Sequence, residues 1–242
     1  MRRLSRRELL AGGGLTAAGF ALGFATNDLI NSWPNQQEPA NPPASAADAL
    51  QFLLQGNQRF VSGLSVVNPN QSTQLRAQLA GGQSPWAIVL GCVDSRVPPE
   101  LVFDLGLGDI FVARSAGQVI DDAVMGSIEF GVEEFNSVKL VMVLGHQNCG
   151  AVKAAIQTIQ ANGHAPGKVQ KIVDAIKPAM KTAQSQPGDI VDNTIRANVS
   201  LEVASLMASD VISHAVSAGS IGVVGAKYDL TTGRVDLTVP MG

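Results

Sequence analysis

The chain has 242 residues and a formal charge of −3, from 17 basic and 20 acidic side chains. That balance argues against nucleic acid or an anionic membrane surface as a partner. There is no internal repeat, no coiled-coil heptad and no nucleotide-binding glycine fingerprint, so those classes drop out as well.

Arg2, Arg3, Arg6 and Arg7 open the chain, and residues 9–24 follow without a charge, interrupted by five glycines. A basic start followed by a short apolar stretch is the layout of a signal peptide, assigned to residues 1–25. Ser5-Arg6-Arg7-Glu8-Leu9-Leu10 carries the twin arginine of a Tat signal. The apolar stretch is shorter than the ~20 residues that cross a bilayer, which favours export over a permanent anchor. The periplasm and the thylakoid lumen are the expected destinations. Membrane contact would come only through this segment if it is retained. Its removal takes away four arginines and Glu8, leaving a formal charge of −6. Residues 26–45 hold Pro34, Pro39, Pro42 and Pro43 among Asn, Gln and Ala and read as a linker.

Residues 46–242 are expected to be one catalytic domain, about 200 residues and long enough for a substantial core. Ser45 and Asp48 resemble a capping box. Leu50, Leu53, Leu54 and Phe60 give an apolar helical face as far as Ser62, an N-terminal helical arm. Gly81-Gly82 reads as a helix stop or loop. Apolar runs at 86–90, 110–113 and 138–144 are short, bounded by glycine or polar residues, and read as buried parallel strands. Residues 151–160 form a helix. Pro166, Pro178 and Pro187 punctuate a more polar middle region, and 189–217 is long and helical in spacing. Strands at 220–228 and 235–239 flank a turn containing Gly233, a terminal hairpin. The fold class is therefore α/β: a central, mostly parallel sheet flanked by helices, with the arm before it and the hairpin after it.

Only two cysteines occur. Each follows an apolar run, in Gly91-Cys92-Val93-Asp94-Ser95-Arg96 and Gly145-His146-Gln147-Asn148-Cys149-Gly150. Two thiolates and one imidazole suit a Zn(2+) ion that keeps a fourth position open, the mark of a catalytic rather than a structural site. At the carboxyl ends of strands they would lie where open α/β sheets bind ligands. A Cys92–Cys149 disulfide in an exported scaffold domain, or two inert buried thiols, are the alternatives. Asp94 can accept a hydrogen bond from a water on the zinc, and Arg96 can grip a carboxylate through two parallel hydrogen bonds. A plain surface salt bridge is the bland reading of that pair. His164 and His214 carry no such context.

Taken together, the two segments resemble the signature of the β-class carbonic anhydrases. The likeness runs on through Gly108–Arg114 and Ser127–Gly131, and spans the chain from near Ala46 to its end. It implies a zinc enzyme that interconverts carbon dioxide and bicarbonate, with Cys92, His146 and Cys149 as metal ligands and Asp94 and Arg96 as a catalytic pair. It implies too that Asp94, once released by Arg96, becomes a fourth ligand and closes the site. A homodimer or dimer-based oligomer is expected, with the pocket at the interface and the helical arm laid over the neighbour. A hydrolase of the same fold acting on carbon disulfide or carbonyl sulfide would use the same hydroxide. Three positions depart from the pattern. Ser115 and Gln118 replace asparagines, and Val89 replaces the tryptophan that some members use in a regulatory bicarbonate site, although Arg114 and Tyr228 stand in compatible contexts. The missing tryptophan leans toward a constitutively open enzyme.

Overall fold

Ser45 caps the first helix with its own hydroxyl. Ser45 Oγ accepts from the Asp48 amide at 3.1 Å and donates to the Asp48 carboxylate at 2.7 Å, starting α1 at Ala46–Val61. The computed structural model describes residues 42–65 and 72–241. The signal segment and nearly all of the linker, through residue 41, lie outside the described residues.

Five strands form the centre: β1 Ala87–Cys92, β2 Ile110–Ser115, β3 Leu140–His146, β4 Gly222–Tyr228 and β5 Val235–Val239. They lie in the order β2-β1-β3-β4-β5, parallel except for the antiparallel β4–β5 hairpin. β1, β3 and β4 are buried at every position, as expected of parallel strands covered on both faces. Val89, Met142 and Val224 face one layer of helices, and Ile88, Val141 and Val223 face the other.

α2 Thr73–Leu79 precedes β1, and between the strands lie α3 Pro99–Val102, α4 Asp122–Glu134, α5 Gly150–Gln160, α6 Val169–Ala183, α7 Ile190–Met207 and α8 Asp210–Ser217. Helix α6 fills what the sequence suggested was a proline-punctuated polar stretch. Pro178 sits inside it, and the helix survives because Val173, Ile176 and Met180 pack into the core beside Ala179 and Ala183. The helical stretch 189–217 is broken at Ala208–Ser209, and α7 and α8 are bent 84° to one another. Ser209 makes the break: it caps α8 through Ile212 N–H and donates to Glu129 Oε1 at 2.6 Å. Among the described residues no single helix is long and apolar enough to cross a membrane.

The arm is less free than its apolar face suggests. Leu53 is fully buried within its own chain, and Asn57 joins α1 to three partners there. Asn57 Nδ2 donates to Val102 O at 3.0 Å and Gly233 O at 2.8 Å, and Asn57 Oδ1 accepts from Val235 N–H at 2.9 Å. Only part of the face, around Leu50 and Leu54, remains for another molecule.

Helix α7 crosses the sheet closely over β3. A Cβ built at Gly145 would lie 2.6 Å from Val199 Cγ2, so any side chain there would force the helix away. The same helix buries three polar residues one turn apart: Thr194, Asn198 and Glu202. Glu202 is 4% exposed and accepts one long hydrogen bond, 3.3 Å from Ile120 N–H. Burial raises its carboxyl from 4.5 to about 7, against a smaller opposing effect of that bond. The folded state therefore keeps a proton that the unfolded chain releases, and stability falls as pH rises from about 4.5 to about 7. Glu202→Gln keeps the acceptor and removes the charge. It should melt like the parent at pH 4 and be more stable above pH 8 by at most ~3 kcal/mol. Thermal denaturation of both proteins across this range checks it; parallel curves would mean that Glu202 stays ionised.

Candidate metal centre

β1 and β3 are hydrogen-bonded neighbours with Gly91 opposite Leu144. Cys92 and His146 are the last residues of the two strands, so both emerge at the carboxyl edge of the sheet. Asn148 then takes a left-handed conformation (φ 56°), which asparagine tolerates well. That turn brings Cys149 back beside His146 as the cap of α5, whose Ala151 and Val152 amides face its thiol. The ligand atoms of Cys92, His146 and Cys149 lie within 4.8 Å of one another, and all three side chains are buried.

The donor set fits zinc. The two Sγ atoms are 4.0 Å apart and both thiols are free. A disulfide needs about 2.05 Å, whereas two sulfurs each ~2.3 Å from a tetrahedral ion stand about 3.8 Å apart. His146 Nδ1 lies 2.9 Å from Gln147 O. A carbonyl only accepts, so Nδ1 carries the proton and the Nε2 lone pair is free. Nε2 is buried with no hydrogen-bond partner. An orphaned, unprotonated imidazole nitrogen beside two thiols is a group that can hold a metal ion. Without a metal the thiols share a proton unequally. The hydrogen bond between them holds Cys92 well below the usual thiol range, and the same bond, reinforced by burial, pushes Cys149 far up.

Asp94 lies at the edge of this triangle, with Oδ2 3.9 Å from His146 Nε2. Arg96 holds it in a fork: Nε donates to Oδ1 at 2.9 Å and Nη2 to Oδ2 at 2.7 Å, while Arg96 N–H adds a third bond to Oδ1 at 3.0 Å. These bonds hold the Asp94 carboxyl well below the usual carboxylate range. Held in this way, Asp94 stands outside the metal-ligating group.

Arg114 is a site residue whose role the sequence did not reveal. Its Nε donates to Cys92 O at 2.7 Å and its Nη2 to Asp94 O at 2.6 Å, so it fixes the backbone between ligand and carboxylate. A lone arginine near the end of an otherwise apolar strand was the available signal. Gly117 N–H donates to Cys92 Sγ at 3.3 Å. His164 and His214 are exposed and outside the cluster.

Residues 87–235 match the carbonic anhydrase family. Carbonic anhydrase 2 of Mycobacterium tuberculosis is 43% identical over 202 residues, covering 83% of this chain and 97% of that protein. Carbonic anhydrase of Mycolicibacterium smegmatis is 42% identical over 202 residues, with the same coverage of both chains. Among solved structures, the Coccomyxa β-carbonic anhydrase in complex with acetazolamide superimposes with a TM-score of 0.62 at 25% identity, over 80% of this chain and 87% of that one. With its Cys92, His146 and Cys149 donor set, the chain belongs to the β-class carbonic anhydrases, zinc enzymes that interconvert carbon dioxide and bicarbonate.

Proposed function

We propose that Cys92, His146 and Cys149 hold the zinc, that Asp94 orients the reacting water, and that Arg96 decides whether Asp94 is available to do so. The observation that carries this reading is the forked grip of Arg96 on a carboxylate whose free edge lies 3.9 Å from the unpartnered His146 Nε2. Zinc supplies a Lewis acid that makes water nucleophilic near neutral pH. Asp94 Oδ2 would accept a hydrogen bond from a water at the site and so orient it toward carbon dioxide. The Arg96 grip holds the Asp94 carboxyl well below the usual carboxylate range, which favours its acceptor form. Arg96 keeps the carboxylate from swinging inward to become a fourth ligand, the closed form of the site. Arg114 holds the intervening backbone, so that this choice is made by side-chain rotation alone.

Alanine at Cys92, His146 or Cys149 should each strip most of the metal, because only three protein ligands are available. Asp94→Asn should keep zinc and lose on the order of a hundredfold or more in hydration rate. Arg96→Ala should also inactivate, by freeing Asp94, and the double variant D94N/R96A should be no slower than D94N alone. Stopped-flow carbon dioxide hydration with metal analysis decides. Full zinc occupancy in an alanine variant removes that residue from the ligand set, and parent rates in both dyad variants reduce Asp94 and Arg96 to a surface ion pair.

The same reading includes a second copy of the chain over the mouth of the site. Val93, beside Cys92, is 55% exposed, and Leu101 is 56% exposed. Exposed apolar side chains on this scale support a protein cover, and Leu50 and Leu54 on the arm are partly exposed apolar residues that could contribute to it. Because Leu53 belongs to the chain's own core, the test is surface substitution rather than removal of the arm. Leu50→Asp with Leu54→Asp should reduce oligomer mass in light scattering and lower activity while zinc stays bound. An unchanged oligomer would take the arm out of the interface.

Residues 1–25 are proposed to direct export by the Tat route, on the strength of the Arg6-Arg7 pair and the short uncharged stretch that follows. Thiols already bound to zinc would enter an oxidising compartment protected from pairing. Replacing Arg6 and Arg7 together with lysine should leave uncleaved precursor inside the cell. Undiminished export of that variant would point to the Sec route.

A further inference from the structure

The turn after β2 touches the metal site, and its backbone is strained. Residues Ala116–Gln118 form a single 3-10 turn in which Gly117 has φ 69° and Gln118 φ 48°. Two successive left-handed residues, one of them a glutamine, persist only when the surroundings hold them. Gly117 cannot readily be replaced, because a Cβ there would lie 3.1 Å from Ile176 Cδ1 and 3.3 Å from the Ala151 side chain. The reason for so constrained a turn is its amide: Gly117 N–H points at Cys92 Sγ, 3.3 Å away.

Helix α7 holds this turn from behind. Asn198, fully buried, donates from Nδ2 to Gly117 O at 2.9 Å. Only a donor can face a carbonyl, so the orientation of the amide is fixed by chemistry. Asn198 Oδ1 has no partner, which leaves the bond to Gly117 as the side chain's hydrogen-bonded anchor. One helical turn on, Glu202 accepts from Ile120 N–H at 3.3 Å, and Ser115 Oγ closes the turn by donating to Val119 O at 2.6 Å. We infer that Asn198 is a positioning residue for the metal centre: by gripping Gly117 O it aims Gly117 N–H at Cys92 Sγ and sets how strongly that sulfur donates to the metal. The inference rests on Cys92 being a ligand, as proposed above. The physical reason is general. A hydrogen bond to a thiolate withdraws charge from sulfur, and groups that orient or bond to a ligand tune the metal it holds.

The test uses the whole protein with zinc and with cobalt(II) in its place. Asn198→Leu fills a similar volume without a donor, and Asn198→Ala removes both. Thr194→Val is the control: it deletes another buried polar group of the same helix, the hydroxyl bonded to Ile190 O at 2.6 Å, without touching the turn. Asn198→Leu and Asn198→Ala should each weaken zinc binding about ten- to a hundredfold in competition with a chelator. They should also move the thiolate-to-cobalt charge-transfer band to lower energy, because a sulfur relieved of its hydrogen bond is more easily oxidised. Thr194→Val should cost stability and leave band and affinity in place. A parental band and affinity in Asn198→Leu, or the same shift in Thr194→Val, would overturn the inference. A parent protein with no thiolate-to-cobalt band would instead refute Cys92 as ligand, and the inference with it. Should the Asn198 variants not fold, exchange of the Asn198 side-chain amide protons in the parent decides. Exchange that accelerates when zinc is chelated supports the coupling, and exchange indifferent to the metal overturns it.

Discussion

The parallel pairing of β1 with β3 is the constraint on which the site depends. Parallel strands side by side end at the same edge of the sheet, so residues at their carboxyl ends meet without any long loop to hold them. Cys92 and His146 are such residues, two rungs of backbone hydrogen bonding from the core valines and leucines that make the strands. A slip of one residue between β1 and β3 would turn Cys92 or His146 to the opposite face. The buried apolar register of Val89 and Met142 therefore holds the Cys92–His146 juxtaposition. Cys149 needs only the short turn through Asn148 to join them.

Around this rigid base the charges are arranged in layers. The two sulfurs are wrapped by donors: Gly117 N–H on Cys92, and the first amides of α5 on Cys149. Two arginines then act on one short segment in different ways. Arg114 bonds only to backbone carbonyls and makes the segment stiff, while Arg96 bonds only to Asp94, through its side-chain nitrogens and its own amide. Arg96 is the more exposed of that ion pair, at 55% against 17% for Asp94. An exposed arginine can leave at little cost, whereas the backbone on either side of Val93 is pinned by Arg114. In the gating proposed above, Asp94 would therefore move by side-chain rotation.

Legibility in the sequence followed physical range. That Cys92, His146 and Cys149 would cluster could be read because thiol and imidazole in those two contexts have few other uses, and the strands because burial on both faces leaves an unbroken apolar run. The hairpin and the Ser45 cap were equally local. Helix α6 was obscured by Pro178, since proline counts against a helix in any local reading, whereas packing of Ile176 and Met180 outweighs it in the fold. The break at Ser209 depends on Glu129, eighty residues away in sequence. The arm's apolar face showed its amphipathicity but not that Leu53 belongs to the chain's own core. Arg114 and Asn198 bond to backbone carbonyls brought close only by the fold, so the sequence flagged the arginine at most and left its partners hidden.

Several irregular features meet at one place. The left-handed residues Gly117, Gln118 and Asn148, the free thiols, the unpartnered His146 Nε2 and the buried Asn198 and Glu202 lie at the carboxyl edge of the sheet or against the turn that follows β2. The left-handed glutamine and the unpartnered polar atoms each cost free energy. The close packing of α7 on Gly145 and the bond from Asn198 to Gly117 O help to hold them. On the ligand reading proposed above, metal binding would convert several of them at once: the orphaned imidazole nitrogen would gain a partner, and the thiol pair would give up its protons. Ion and fold would then be linked thermodynamically, because the groups that bind the metal are brought together only in the folded state.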